Sequence, residues 1–187
     1  MTVGVLALHG DFAEHLAVLT SLRIHADEVR TPEDLRRVHR LIIPGGESTV
    51  IAKLLSSTGL RKAIQTRVRE GSLPLYGTCA GAILLARRVR GKKSATPLGL
   101  VDITVDRNAY GTQLQSFEAT IRVKSLSTPL RVAFIRAPKI TAVGKGVTVL
   151  AELNGSPVLV LQGRILAGTF HPEIRGEAAL HRMFLAL

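Results

Sequence analysis

The sequence predicts an α/β fold: a mostly parallel central sheet flanked by helices, with an antiparallel extension. Three observations carry that expectation. Short apolar runs alternate with amphipathic segments through the first half of the chain, the pattern of a parallel sheet with helical crossovers. The second half is a series of strand-like runs separated by Gly, Pro, Asn and Ser, as in hairpins. The chain is 46% hydrophobic with only 4% aromatic residues and no Trp, a Leu-, Val-, Ala- and Ile-rich composition that suits a sheet covered by helices. Its 187 residues suffice for one hydrophobic core and are short for two, so residues 1–187 are read as a single domain.

The elements follow in order. Residues 3–8 read as a strand buried on both faces, ended by Gly10. Asp11-Phe12-Ala13-Glu14 reads as a capping-box variant opening a helix that runs to Arg23. Residues 26–30 form a weaker second strand, and Thr31-Pro32 starts a helix, since proline fits the first turn. Residues 40–44 are the third strand. Residues 48–56 and 60–70 read as helices, the second stopped by Gly71. Residues 73–77 are the fourth strand and residues 80–88 the helix after it. Residues 100–106, 117–124, 130–137, 147–153, 157–162 and 164–170 are strand-like. A last helix runs from Gly176 to Leu187 with Leu180, Phe184 and Leu187 on one face.

Composition excludes several classes. The apolar fraction is too high for a disordered chain, and no apolar run approaches the ~20 residues that span a bilayer. The N-terminal run lacks a basic leader and reads as a buried strand rather than a signal peptide. One cysteine rules out an internal disulfide, and a cytoplasmic location is expected. The net charge of +11 favours a solvated basic surface or docking to an acidic partner. Nucleic acid is disfavoured, because the basic cluster Arg87-Arg88-Val89-Arg90-Gly91-Lys92-Lys93 has no interleaved aromatic residue to stack on a base.

In a parallel α/β sheet, sites lie at the carboxyl ends of the strands. Three strand ends are unusual. Gly77-Thr78-Cys79-Ala80-Gly81 is a G-x-C-x-G turn between a strand and a helix, the cysteine counterpart of a nucleophile elbow. The glycines permit a sharp, strained turn, the helix N-terminus favours a thiolate, and the Ala80 amide can donate to a developing oxyanion. His171-Pro172-Glu173 supplies a base and a carboxylate to orient it; Pro172 biases His171 to extended chain, in which residues two apart point the same way. Pro44-Gly45-Gly46-Glu47-Ser48 brings backbone amides close to a ligand, with Glu47 for an ammonium and Ser48 for a polar group, or else Ser48 simply caps the next helix. No Gly-Lys-Ser/Thr follows, so a phosphate loop is not indicated. His9, His15, His25, His39 and His181 show no metal-ligand spacing, His15 and His25 reading as surface residues. A zinc site is not expected with one cysteine.

Together with Gly-Val-Leu-Ala-Leu-His-Gly-Asp (residues 4–11), Asp-Arg-Asn-Ala-Tyr-Gly (106–111) and Phe-Ile-Arg-Ala-Pro (134–138), these motifs span the chain. In that order they resemble the glutaminase subunits of pyridoxal 5′-phosphate synthase, a family of triad glutamine amidotransferases. The resemblance implies the class I glutamine amidotransferase-like, flavodoxin-like fold. It implies that Cys79 attacks the side-chain amide of L-glutamine, assisted by His171 and Glu173. Gly46, Glu47, Ser48, Arg107, Ile135 and Arg136 match glutamine-binding positions. The oxyanion donors are expected to be the amides of Ala80 and of Gly46 or Gly10. The ammonia would pass to a synthase subunit in a hetero-oligomer, which combines it with a pentose phosphate and a triose phosphate to make the vitamin B6 coenzyme. Activity would be low until that partner docks. No cofactor or metal is implied for the glutaminase itself. The alternative is a glutaminase subunit feeding a different synthase. One departure is that the first strand usually ends Leu-Gln-Gly in the family and here ends Leu8-His9-Gly10.

Overall fold

In the computed structural model, which describes residues 1–91, 95–107 and 116–187, strand and helix alternate through the first half. The order is β1 (Val3–Leu6), α1 (Phe12–Ser21), β2 (Ala26–Val29), α2 (Pro32–Arg37), β3 (Arg40–Ile43), α3 (Ser48–Ser57), α4 (Leu60–Arg69), β4 (Leu75–Thr78) and α5 (Ala80–Leu85). Strands then dominate: β5 (Ala86–Arg90), β6 (Val101–Asp106), β7 (Ser116–Ile121), β8 (Leu130–Ile135), β9 (Lys139–Val143), β10 (Thr148–Leu153), β11 (Ser156–Gln162) and β12 (Ile165–Gly168). A 3-10 turn at Glu173–Arg175 leads to α6 (Ala179–Leu185). The main sheet has the order β10-β11-β12-β4-β3-β1-β2. It is parallel from β12 to β2 and antiparallel from β10 to β12. A three-stranded sheet β5-β6-β9 and the hairpin β7-β8 complete the second half.

Alternation along the central strands sends side chains to two apolar layers. Leu6, Leu41, Ile43, Leu75 and Ala167 face one layer with Ile51 and Leu55 of α3, Ile64 of α4 and Leu84 of α5. Val5, Ile42, Tyr76 and Leu166 face the other, with Leu19 of α1 and Leu180 and Phe184 of α6. Both faces of the parallel strands are covered, so β1, β4 and β12 are buried along their whole length. Each such Leu, Ile, Val or Phe contributes roughly 1.5–3 kcal/mol by leaving water.

The expected elements differ from the observed ones where local pattern misleads. The helix expected over residues 80–88 stops at Leu85, and the chain enters β5, parallel to β6. All six residues of α5 are buried, so another helical turn would carry Arg87 and Arg88 into apolar surroundings. Extended chain instead brings them to solvent, where Arg87 Nη1 meets Asp102 Oδ1 at 3.2 Å. Strand β9 has no counterpart among the expected strands, because only Ile140 of its five residues is buried and its pattern is weak. The capping box falls at the second helix, where Thr31 and Asp34 bond reciprocally, while Asp11 makes no side-chain cap bond to α1. Among the described residues no helix is long and apolar enough to cross a membrane.

Packing is tight where α5 crosses β3. A Cβ on Gly81 would sit 2.1 Å from the Ile43 carbonyl oxygen, whereas one on Gly163 would meet nothing, although its φ is 56°. Gly81→Ala is expected to lower stability by roughly 2–3 kcal/mol through overpacking. Gly163→Ala should cost only about 1 kcal/mol, for its left-handed backbone. Urea unfolding of the two variants checks the order.

Candidate active site

Two neighbouring parallel strands place the central side chains. In the β12–β4 pair Gly168 stands opposite Thr78, and the next amide, Cys79 N, donates to Gly168 O at 2.8 Å. Cys79 therefore leaves β4 beside the segment that leaves β12. Three residues beyond β12, His171 is pinned by an antiparallel bridge to Ala133 of β8, its N donating to Ala133 O at 2.8 Å. The hairpin of the second half thus fixes a residue that the parallel sheet has only delivered.

The elbow is strained at the cysteine itself. Cys79 has φ 46° and ψ −102°, a conformation that costs a non-glycine residue of order 1–3 kcal/mol. The flanking glycines do something other than the sharp turning expected of them: they make room. A Cβ on Gly77 would lie 2.6 Å from Leu85 Cδ1 and 2.7 Å from the Gly81 carbonyl carbon. Without both, the first turn of α5 could not close onto β4 and β3.

His171 Nδ1 is 2.8 Å from Glu173 Oε1. The pair forms by a different route from the expected one. Pro172 has helical φ/ψ of −72° and −31° and Glu173 begins the 3-10 turn, so the carboxylate swings back under the ring instead of lying beside it on extended chain. Both residues are only 3% exposed. Burial works against a charged His171, but hydrogen bonds and charges from Cys79 and Glu173 outweigh it and push the imidazole up to about 10. For Glu173, burial pushes the carboxyl up, His171 offsets part of this, and Asp11 adds to the upward push. Asp11, read from sequence as a helix cap, instead reaches to 3.4 Å from His171 Nδ1. Asp11, His171 and Glu173 offer ligand atoms within 4.8 Å of one another; the ring nitrogen among them is already bonded to Glu173.

A cavity of about 270 Å³ opens on His171, lined by Asp11, Gly46, Glu47, Ser48, Cys79, Ile83, Arg107, Ile135, Arg136, His171 and Ile174. It gathers the cysteine, the histidine and all six residues singled out as glutamine-binding positions. Cys79 Sγ lies 3.8 Å from the Ile135 carbonyl oxygen. Glu47, not Ser48, caps α3: its Oε1 accepts from Thr49 N at 3.3 Å and from Thr49 Oγ1 at 2.8 Å. Ser48 is buried in the wall with its Oγ unbonded. Arg107 Nη2 is 2.5 Å from Glu47 Oε1. Burial raises Glu47, but Thr49, Arg107 and Arg136 together hold its carboxylate below the ordinary value. Residues 108–111 of the Asp-Arg-Asn-Ala-Tyr-Gly motif, and Lys92 and Lys93 of the basic cluster, lie outside the described residues. Gly10 packs behind Gly46 and is not in the lining, while Ala80 opens α5 next to Cys79. Asp11, Ile83 and Ile174 were not among the expected site residues; only spatial closure identifies them.

This architecture is the class I glutamine amidotransferase-like α/β fold. A solved structure described as a glutamine amidotransferase superposes with a TM-score of 0.94 at 49% identity, covering 98% of this chain and 97% of the other. The structure of PurLQS from Thermotoga maritima shares the fold at TM-score 0.73 and 16% identity, covering 99% of this chain and 97% of the other. The chain belongs to the SNO glutamine amidotransferase family, whose model matches residues 5–186. Among its relatives is the pyridoxal 5′-phosphate synthase subunit PdxT of Thermus thermophilus, 52% identical over 99% of this chain and 96% of the relative. The subunit of the same name from a Roseiflexus species is 50% identical over the full length of both chains.

The His171 shift has a sign that can be measured. A folded value near 10 stands above the unfolded value of 6.5, so the native state holds the extra proton between them. The stabilisation is complete below the lower value and disappears as pH rises through the upper one. Urea stability of the wild type is expected to fall between those two pH values, and His171→Asn should flatten that decline.

Proposed function

We propose that residues 1–187 act as a single-domain glutaminase that converts L-glutamine to L-glutamate and ammonia, with Cys79 as nucleophile, His171 as acid and base, and Glu173 as the group that orients His171. The observation that carries this reading is one cavity holding both a strained elbow cysteine and a buried His171 bonded through Nδ1 to Glu173 at 2.8 Å. That bond leaves Nε2 for the sulfur and the substrate.

Each step balances. The Cys79 thiolate bonds to the side-chain amide carbon, and the oxygen takes the negative charge. The carbon–nitrogen bond then breaks as His171 passes its Nε2 proton to the departing nitrogen, giving ammonia and a γ-glutamyl thioester. Water attacks the thioester, His171 takes its proton, and the carbon–sulfur bond breaks to release glutamate. Glu173 stabilises the imidazolium without taking the proton. Glutamine is a zwitterion at its α-carbon, and the opposite wall matches it: Glu47 for the ammonium, Arg107 and Arg136 for the carboxylate, with Gly46, Ser48 and Ile135 completing the contact.

The ammonia passes to a synthase subunit that makes pyridoxal 5′-phosphate, consistent with the subunit name carried by relatives at about half identity. A partner also has something to switch. The oxyanion needs two donors, which we assign to the amide of Ala80 and that of Gly46 or Gly10. The Gly45 carbonyl accepts from Asp11 N at 3.3 Å, so the Gly45–Gly46 peptide is held by the residue that opens α1. Docking can rotate that glycine-flanked peptide at low cost.

Glutamate formation tests the chemistry. Cys79→Ala should abolish it with the fold retained, His171→Asn should be the more damaging change and Glu173→Gln the milder. Normal turnover in Cys79→Ala ends the thiol mechanism. The partner model has its own test at His9, whose Nδ1 would lie 3.0 Å from a Cβ on Gly46. His9→Gln should alter synthase-stimulated turnover more than thermal stability, because loss of one oxyanion donor is worth ~100- to 1000-fold. Full activity of the isolated wild type, with no response to synthase, removes the switch.

A further inference from the structure

The hydrolysis scheme leaves Asp11 without a task. It occupies the N-cap position of α1, where an aspartate ordinarily accepts a hydrogen bond from the first turn of its helix. Here it makes no such bond, and α1 forgoes that stabilisation. The carboxylate turns instead into the cavity wall, where its Oδ2 lies 3.4 Å from His171 Nδ1. A local rule broken beside a reactive group points to a role for the side chain there. The surrounding chain is shaped for the contact. Asp11 N donates to Gly45 O at 3.3 Å. A Cβ on Gly45 would lie 2.8 Å from Asp11 Oδ2 and 2.3 Å from His171 Cε1, so the bare chain at Gly45 is a notch that admits both.

Nδ1 of His171 therefore faces two carboxylates. Glu173 Oε1 at 2.8 Å takes the hydrogen bond, and Asp11 Oδ2 adds its charge beside it. The Glu173 side chain is inaccessible, whereas that of Asp11 is 34% exposed. Burial is the main cause that pushes Glu173 up, and Asp11 adds to it, so the two carboxylates repel unless a positive ring stands between them. The remaining groups that face His171 do not fill this place. Cys79 faces it from the exit of β4 and carries the opposing negative charge. His15 of α1, expected at the surface, is fully buried, with Nδ1 2.9 Å from His181 Nε2 and Nε2 3.0 Å from Thr78 Oγ1. Burial, then His181 and His171, lower it well below the usual value, so it brings no charge. Glu47, Arg107 and Arg136 belong to the recognition wall of the cavity.

We propose that Asp11 is a positioning residue of the glutaminase: with Glu173 it brackets Nδ1 of His171 and balances the positive charge that the ring carries while Cys79 is a thiolate. The role rests on the triad reading above, because Asp11 acts only through His171. It also gives Nδ1 a second acceptor to turn to when Glu173 is altered.

Asp11→Asn removes the charge at constant size, and Asp11→Glu keeps it. The His171 imidazole is titrated by NMR in the full chain without glutamine, its signal identified by its loss in His171→Asn. From the wild-type midpoint of about 10, Asp11→Asn is expected to lower it by roughly one pH unit, the low end for an opposite charge this close, because Asp11 is partly solvated. Asp11→Glu should recover most of that shift. With the synthase subunit present, the alkaline limb of kcat/KM should move down with the titration, and KM should change little. In a Glu173→Gln background, Asp11→Asn should cost more in kcat than it does alone, because it then removes the last carboxylate at Nδ1. An unmoved His171 midpoint in Asp11→Asn, or an equal fall in the Asn and Glu variants, overturns the role. A raised KM beside an unmoved midpoint also overturns it and makes Asp11 a substrate contact. If Asp11→Asn does not fold, Asp11→Ser, which can cap α1, takes its place in the titration. A wild type that does not hydrolyse glutamine removes the glutaminase reading and the role with it, whereas an active wild type beside an unmoved midpoint removes only the role of Asp11.

Discussion

The parallel pairing of β12 with β4 is the constraint on which the rest depends. It sets Gly168 opposite Thr78 and lets the Cys79 amide donate to the Gly168 carbonyl. A slip of β12 by one residue against β4 would reverse the faces of β12, sending Leu166 into the layer that now holds Ala167. The same register places the exits of the two strands side by side, so a residue just after β4 and one a few positions after β12 meet over the sheet edge. Because β4 and β12 are central and buried along their length, that geometry is backed by the most stable part of the fold.

Burial then converts proximity into chemistry. His171 and Glu173 are nearly inaccessible, so each is costly to charge alone and much less costly beside the other. Asp11 brings a second, half-exposed carboxylate to the same ring nitrogen. The charges on the far wall are arranged differently. Glu47 and Arg107 meet at the cavity rim, partly exposed, in a pair that the proposed zwitterionic substrate would split between its own two charged groups. In the proposed reading, the charges at the reacting end are buried and those at the recognition end are solvated.

Much of this was legible in the sequence, and the failures share a cause. The parallel half announced itself because strands buried on both faces are continuous apolar runs, and three of their carboxyl ends carried a conspicuous motif. Cys79, His171 and Glu173 were readable as residue types that have little reason to follow such strands otherwise. What escaped were features set by distant chain. Strand β5 hid inside an apparent helix because the burial of all of α5 is decided by its neighbours, not by its own period. Asp11 looked like a cap and His15 like a surface residue because their local patterns are those of any amphipathic helix start. Their partners, His171 and His181, lie 160 and 166 residues further along the chain, a separation no local pattern can encode.

The glycines show how closely the motifs record packing. A Cβ on Gly45 would lie 2.3 Å from His171 Cε1, and one on Gly10 would lie 1.8 Å from the Gly45 carbonyl oxygen. Gly77 and Gly81 are excluded from having side chains by α5 and β3 in the same way. The β1, β3 and β4 exits are therefore in backbone contact, and the imidazole rests on bare chain. Such a site leaves little slack for His171: the ring is bounded by Gly45 on one side and by Glu173 on another, with its backbone tied to Ala133. The side chain at position 9 is different. It is exposed and lies over Gly46 from outside. A change at this position therefore bears first on the Gly45–Gly46 peptide, and not on the strands that carry Cys79 and His171.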